Sequence, residues 1–286
     1  MNKQTFVKLL LFLLFISIFP FAVSAQTKTL LKRTAHKTDK LDFGSGGTVV
    51  INGAPNGSIR VEGWNQNEIE LSAEIQINAS TESGIEQLTK VTGFVLEESL
   101  GRTGIISIGT HDKKYLKSVL KKFPKHLMGL PFRIDYVVKV PRFCDLEING
   151  GSGDLTISGV EGMMKINYLE TNAVIDLIGG GITATFGSGS VSVTVPTRSW
   201  RGRFADIQLA AGTMNVSLPA GLNAEIDASI LRTGKIENEY ANLKPRIRKV
   251  EFTEKSIAAK SGVGGVPLKF TIGDGTLNIF QARKPD

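Results

Sequence analysis

The chain is expected to be all-β: a β-solenoid of the single-stranded β-helix type, with an N-terminal β-portion and one or two short helices. Three observations lead there. A five-residue unit recurs seven times: glycine, a polar or charged residue, an apolar residue, any residue, and a strand-like residue. Its copies begin at Gly47, Gly57, Gly153, Gly189, Gly212, Gly234 and Gly275, and only the copy at Gly234 ends on a polar residue, Asn238. Repetition of a short strand after a glycine turn indicates stacked β-units. Apolar positions matched across the later copies, Leu155, Val174, Val191, Met214 and Ile236, are 19, 17, 23 and 22 residues apart. A unit of about 20 residues suits one coil of two or three short strands with turns. Finally, Ile69, Leu71, Ala73, Ile75 and Ile77 alternate without a break with polar residues, the pattern of a strand with one wet face.

Residues 1–25 read as a secretory signal. Lys3 and Lys8 supply the positive start, Leu9 to Phe21 the apolar run, and Val23-Ser24-Ala25 a small-residue cleavage site. The apolar run is shorter than the roughly 20 residues of a membrane span. The chain is therefore expected to be exported through the Sec route to the periplasm, the cell surface or the medium. Of 286 residues, 34 are basic and 27 acidic; losing the two lysines of the signal leaves a net charge of +5. That is too mild to imply a nucleic-acid partner. The one cysteine, Cys144, can form no internal disulfide and is expected to be a buried small side chain.

Residues 26–40, with five basic residues against Asp39, read as a flexible basic leader. An N-terminal β-portion follows over 41–140, turning at Asn56-Gly57, where positive φ is favoured. It carries two helical inserts. One lies near 82–92, capped by Ser80 or Thr81, with Ile85, Leu88 and Val91 on one side. The other spans 112–123, with Leu116, Val119, Leu120 and Phe123 on one face and Lys113, Lys114, Lys117, Lys121 and Lys122 on the other. The solenoid is expected over 141–282, with Ile148, Ile157, Ile166, Ile175, Val193, Ile207, Val216 and Ile226 as its core.

The stretch from Gly47-Thr48-Val49 through Gly57-Ser58-Ile59-Arg60-Val61-Glu62-Gly63-Trp64 has a family look, as does Tyr136 to Pro141 leading into Leu146-Glu147-Ile148 and Gly153-Asp154-Leu155-Thr156-Ile157. On these residues the chain resembles the putative-adhesin, β-strand-repeat family of exported bacterial proteins, autotransporter-adhesin-head-like, over roughly 42–280. The resemblance implies an exported solenoid-like protein with no catalytic residues to carry over.

The three histidines have no glycine neighbours, unlike those of polygalacturonase-like enzymes, and no Asp-Asp pair occurs. Asp154, Asp176, Asp206 and Asp227 could be gathered by stacking into paired carboxylates for a polysaccharide-active β-helix enzyme. Gly150-Gly151-Ser152-Gly153-Asp154 approaches a calcium nonapeptide with its aspartate one place early. No zinc helix, Cys-x-x-Cys, nucleophile elbow or phosphate loop is present. The reading is thus a non-catalytic envelope protein, adhesin-like or a scaffold, with no cofactor, no metal and no small-molecule substrate. Its expected partner is an envelope protein, a glycan or an anionic membrane surface. The lysines of 112–123 could lie on such a membrane, making the chain a peripheral membrane or assembly factor. Trp200 with Arg198, Arg201 and Arg203 could bind a sugar or acidic polymer by stacking and charge.

Overall fold

Strands with one apolar side must have that side covered, and this chain does it by stacking rung upon rung in an open sheet of 17 strands among the described residues. The computed structural model describes residues 30–119, 123–197, 200–241 and 243–282. In chain order come β1 (Leu31–Asp42), β2 (Thr48–Asn52), β3 (Ile59–Trp64), β4 (Glu68–Ala79), α1 (Glu82–Thr89), β5 (Gly93–Ser99) and β6 (Arg102–Ile108). Then follow α2 (Lys113–Val119), a 3-10 turn at Lys125–Leu127, β7 (Phe132–Pro141), β8 (Asp145–Ser152), β9 (Leu155–Ser158), β10 (Glu161–Asp176), β11 (Gly179–Thr194) and β12 (Arg201–Leu218). The chain closes with β13 (Ala224–Ile230), β14 (Gly234–Asn238), β15 (Lys244–Pro245), β16 (Ser256–Ser261) and β17 (Val266–Gln281).

The sheet has two arms. The long strands β10, β11, β12 and β17 run through both, paired in parallel. In the first arm their N-terminal halves continue the ladder through β8 and β2 to β6 on one side and through β13 on the other. In the second arm their C-terminal halves continue it through β9 and β3 to β7, and through β14. Antiparallel strands finish the stack: β5 beside β6, β4 beside β7, β1 beside β4, and β16 beside β13.

Register turns the repeat into columns. In the first arm, Ile105, Ile51, Ile148, Ile166, Ala184, Ile207, Phe270 and Ala228 stand on successive rungs, all buried. In the second, Tyr136, Ile59, Leu155, Ala173, Val191, Met214, Leu277 and Ile236 do the same. All belong to one hydrophobic cluster. In β10 the buried positions are Met164, Ile166 and Tyr168, then Thr171, Ala173 and Ile175. The step from even to odd at the corner brings the apolar side of both arms to the same core, since a one-residue slip exchanges faces. Each buried aliphatic contributes roughly 1.5–3 kcal/mol of transfer free energy.

The repeat's glycine sits at that corner. Gly189, Gly212 and Gly275 are register partners on β11, β12 and β17. Gly275 has φ +138°, and a Cβ there would lie 1.8 Å from the carbonyl oxygen of Gly212 on the next rung. Only glycine lets the rungs approach this closely while the strand turns.

Two expectations change. The leader expected over 26–40 is, from Leu31, strand β1, registered along the whole of β4; residues 26–29 lie outside the described residues. Its basic composition complements β4 and α1: Lys40 Nζ is 2.8 Å from Glu68 Oε1 on β4, and Arg33 pairs with Glu82 at the start of α1. The matched column runs through Ala173 and not Val174, which is 48% exposed. Of the helix expected over 112–123, Lys113–Val119 is described as α2, and Leu120, Lys121 and Lys122 lie outside the described residues. The strands before and after residue 140 share one sheet, because β2 and β3 ladder directly onto β8 and β9, and the chain from Leu31 onward is one compact unit.

Other expectations hold. All eight expected core residues, from Ile148 to Ile226, are buried. Thr81 caps α1, its Oγ1 accepting from Gly84 N at 3.1 Å, and Ile85, Leu88 and Val91 are buried. Cys144 is 2% exposed, and burial pushes its thiol up to about 12. Residues 1–25, the expected signal, lie outside the described residues, among which no helix is long and apolar enough to cross a membrane.

Candidate functional site

Alternation that buries one side of each rung presents the other, and this side is where the second arm is most regular. On β11, β12 and β17 three outward columns stand side by side. Ser190, Thr213 and Thr276 form one; Ser192, Asn215 and Asn278 the next; Thr194 and Ser217 with Phe280 the third. Eight of these nine side chains are short, neutral and polar, and all nine are half-buried. Rungs lie about 4.8 Å apart and alternate residues along a strand about 6.8 Å apart, so the eight form a flat two-dimensional lattice of hydroxyls and amides. Asn278 Nδ2 donates to Asn215 Oδ1 at 2.8 Å, while the buried Asn278 Oδ1 has no partner among the described residues. The reason is the next rung: Glu237 stands there and donates nothing.

The outer face of the first arm differs. Asn149 Nδ2 donates to Asn52 Oδ1 at 2.9 Å and Asn167 Nδ2 to Asn149 Oδ1 at 3.0 Å, an amide ladder climbing three rungs. Beside it runs a charged column. Glu147 is held bidentately by Arg102 at 3.1 and 2.7 Å, which keeps its carboxyl below the usual range. Asp206 lies 3.5 Å from Lys269 and Asp227 lies 2.8 Å from Arg246. These charges are paired with one another, whereas the neutral lattice of the second arm carries none.

The four aspartates weighed as a catalytic set are dispersed. Asp206 and Asp227 are both register partners of Lys269, so a cation separates them. Asp154 accepts from Asn172 Nδ2 at 3.2 Å at the corner. Asp176, at the far end of the second arm, has its carboxyl pushed up by burial. Among the described residues no three His, Cys, Asp or Glu side chains come together as a metal site would require.

The expected binding residues are also separated. Trp200 is a core residue, 8% exposed, with its indole lying across Gly202: a Cβ there would be 1.9 Å from Trp200 Cζ2. It is not available for stacking on a sugar, because a large apolar ring next to a side-chain-free backbone gains more from burial than from water. Arg201 and Arg203 are exposed and line a shallow groove with Asp145 and Glu161; Arg198 lies outside the described residues. Lys113, Lys114 and Lys117 are exposed on α2, whose start is capped by Asp112 Oδ1 accepting from Lys114 N and Tyr115 N, both at 2.9 Å. Leu116 turns into the body and Phe123 packs on the core, while Val119 is 47% exposed and Leu120 lies outside the described residues. The polar lattice went unnoticed in sequence because Ser, Thr and Asn between aliphatics look like ordinary surface; their alignment exists only across rungs.

No protein-family model and no curated protein matches the chain. It is similar to the crystal structure of a putative cell adhesion protein from Clostridium sporogenes, with 12% identity and a TM-score of 0.46, covering 88% of this chain and 100% of that one. It is also similar to a putative adhesin from Bacteroides fragilis, with 10% identity and a TM-score of 0.35, covering 86% and 97%. A putative lipid binding protein from Parabacteroides distasonis gives 13% identity and a TM-score of 0.31, covering 87% and 97%.

Proposed function

We propose that the chain is a non-catalytic, exported cell-envelope protein of adhesin-like or scaffold type, whose stacked parallel rungs form a β-solenoid and whose second arm docks a glycan. The observation that carries this reading is the uncharged lattice on β11, β12 and β17. Its inter-rung spacing of about 4.8 Å is close to the length of an extended pyranose unit, so hydroxyls along a polysaccharide meet hydroxyl and amide partners rung after rung. Many weak, repeated hydrogen bonds on a preformed face suit adhesion, since each is worth only about 1 kcal/mol and the sum depends on register.

The test is co-sedimentation of the purified protein with peptidoglycan sacculi, chitin and cellulose, beside the double variant Ser192→Arg, Asn215→Arg. Both positions are half-buried and Asn215→Arg gives up the bond from Asn278, so the variant is expected to melt a few degrees lower and is compared well below that temperature. Retention on at least one polymer, lost in the variant, supports the proposal; no retention on any of the three removes it. Steady release of reducing sugar from the same polymers would replace it with a hydrolase. Protease shaving of intact cells reports whether the lattice faces the outside.

A further inference from the structure

Far from the lattice, a groove of about 370 Å³ opens between β1, β4, the C-terminal end of α1 and the start of β5. Its size falls within the roughly 300–1,000 Å³ of small-molecule sites. The wall is apolar: Ile75, Ile77, Val91 and Phe94 line it, each buried. The rim is basic: Arg33, Lys37 and Lys90 line it, and no carboxylate among the described residues does. Arg33 is paired with Glu82, and His36 Nδ1 lies 4.0 Å from Glu74 Oε2. Lys37 and Lys90 have no carboxylate partner among the described residues, and Lys37 Nζ stands 4.3 Å from the centre of the Phe94 ring. Thr92, also lining the groove, has a buried hydroxyl with no hydrogen-bond partner among the described residues. A buried hydroxyl in that state is uncompensated, and an acceptor oxygen brought near it would relieve that.

We propose that this groove binds a single-chain amphiphile with an anionic head, of the fatty-acid class. The aliphatic chain lies along Ile75, Val91 and Phe94, and the carboxylate faces Lys37 and Lys90. Charge decides the class: a neutral chain of the same length leaves both lysines unserved, while an anion without a tail leaves the apolar wall wet. This site is independent of the glycan lattice and stands on different residues.

The experiment is calorimetric titration of the purified full chain with decanoate and with 1-decanol, both kept below their solubility and micelle limits. Three proteins are compared: wild type, Lys37→Glu with Lys90→Glu, and Ala35→Trp. All three positions are exposed, so each variant is expected to melt with the wild type. Decanoate is expected to bind once per chain. Replacing two exposed charge pairs by repulsions weakens it by about ten-fold or more, and decanol binds more weakly to a similar degree. Ala35→Trp, which fills the groove from β1, abolishes binding. Absence of decanoate binding overturns the proposal, including when the chain's own N-terminal residues or a second copy occupy the groove. Equal affinity for decanol, or full binding by Ala35→Trp, overturns it as well.

Discussion

Replacing Gly275 with alanine tests the corner directly. The new Cβ would sit 1.8 Å from the carbonyl oxygen of Gly212 and 2.8 Å from its carbonyl carbon. Backbone cannot yield as a flexible side chain does, so β17 must move away from β12 by more than an ångström or the corner must unbend. The φ of +138° adds strain of about 1–3 kcal/mol for a residue with a Cβ. Retreat of the rung forfeits one or two ladder hydrogen bonds at about 1 kcal/mol each. Alanine recovers about 0.4–1 kcal/mol by stiffening the unfolded chain. The net is a loss of about 1–5 kcal/mol, centred near 3, which for a body of this size lowers the melting temperature by about 6–12 °C at the centre of that range. Gly221→Ala is the control: φ is +73° there and nothing lies within 4 Å of the added Cβ. It carries only the left-handed cost of about 1–2 kcal/mol. Thermal unfolding followed by far-ultraviolet circular dichroism reads both. Equal melting temperatures for the two variants would refute the stacked-corner argument.

Other consequences follow from the same columns. Ala173→Asp places a carboxylate in the core and should cost several kcal/mol, while Val174→Asp, one residue on and exposed, should change stability by less than about 1 kcal/mol; urea unfolding of both separates the registers. Burial pushes the Tyr136 hydroxyl up to about 12, so its contribution is fully present below its unfolded pKa near 10 and is lost as pH rises towards 12. Between these values the wild type should lose stability more steeply than Tyr136→Phe, by up to about 1.4 kcal/mol per pH unit. At neutral pH the variant should be weaker by about 1 kcal/mol, because the 2.7 Å contact to Ser107 is gone; parallel curves would contradict the assignment. Cys144 should resist an aromatic disulfide reagent in the native protein and react at once in guanidinium, and fast native labelling would show that strand entry to be open.

Local rules carried far here. The alternation over 69–77, the cap at Thr81 and the repeated glycine could all be read along the chain, because each depends on neighbours within a few residues. Register could not. The spacing between Leu155 and its partner is 18 residues and not 19, so Ala173 replaces Val174 in the core, and nothing along the chain distinguishes these two until the strands lie side by side. Basic residues before Asp42 looked like a loose leader because their complement, the acidic face of β4, lies more than twenty residues on. Trp200 looked like a binding residue because Gly202, over which its ring lies, supplies no side chain to announce the contact.

By itself, then, the order of residues determined the all-β class, the glycine turns and which aliphatics would seek cover. Only the tertiary structure decided that the rungs bend into two arms over one core, that the outward Ser, Thr and Asn align into a lattice, and that β1 and α1 leave a basic-rimmed groove. The physical reason is that periodicity is written between adjacent residues, whereas a surface is written between rungs separated by 18 to 97 residues of chain.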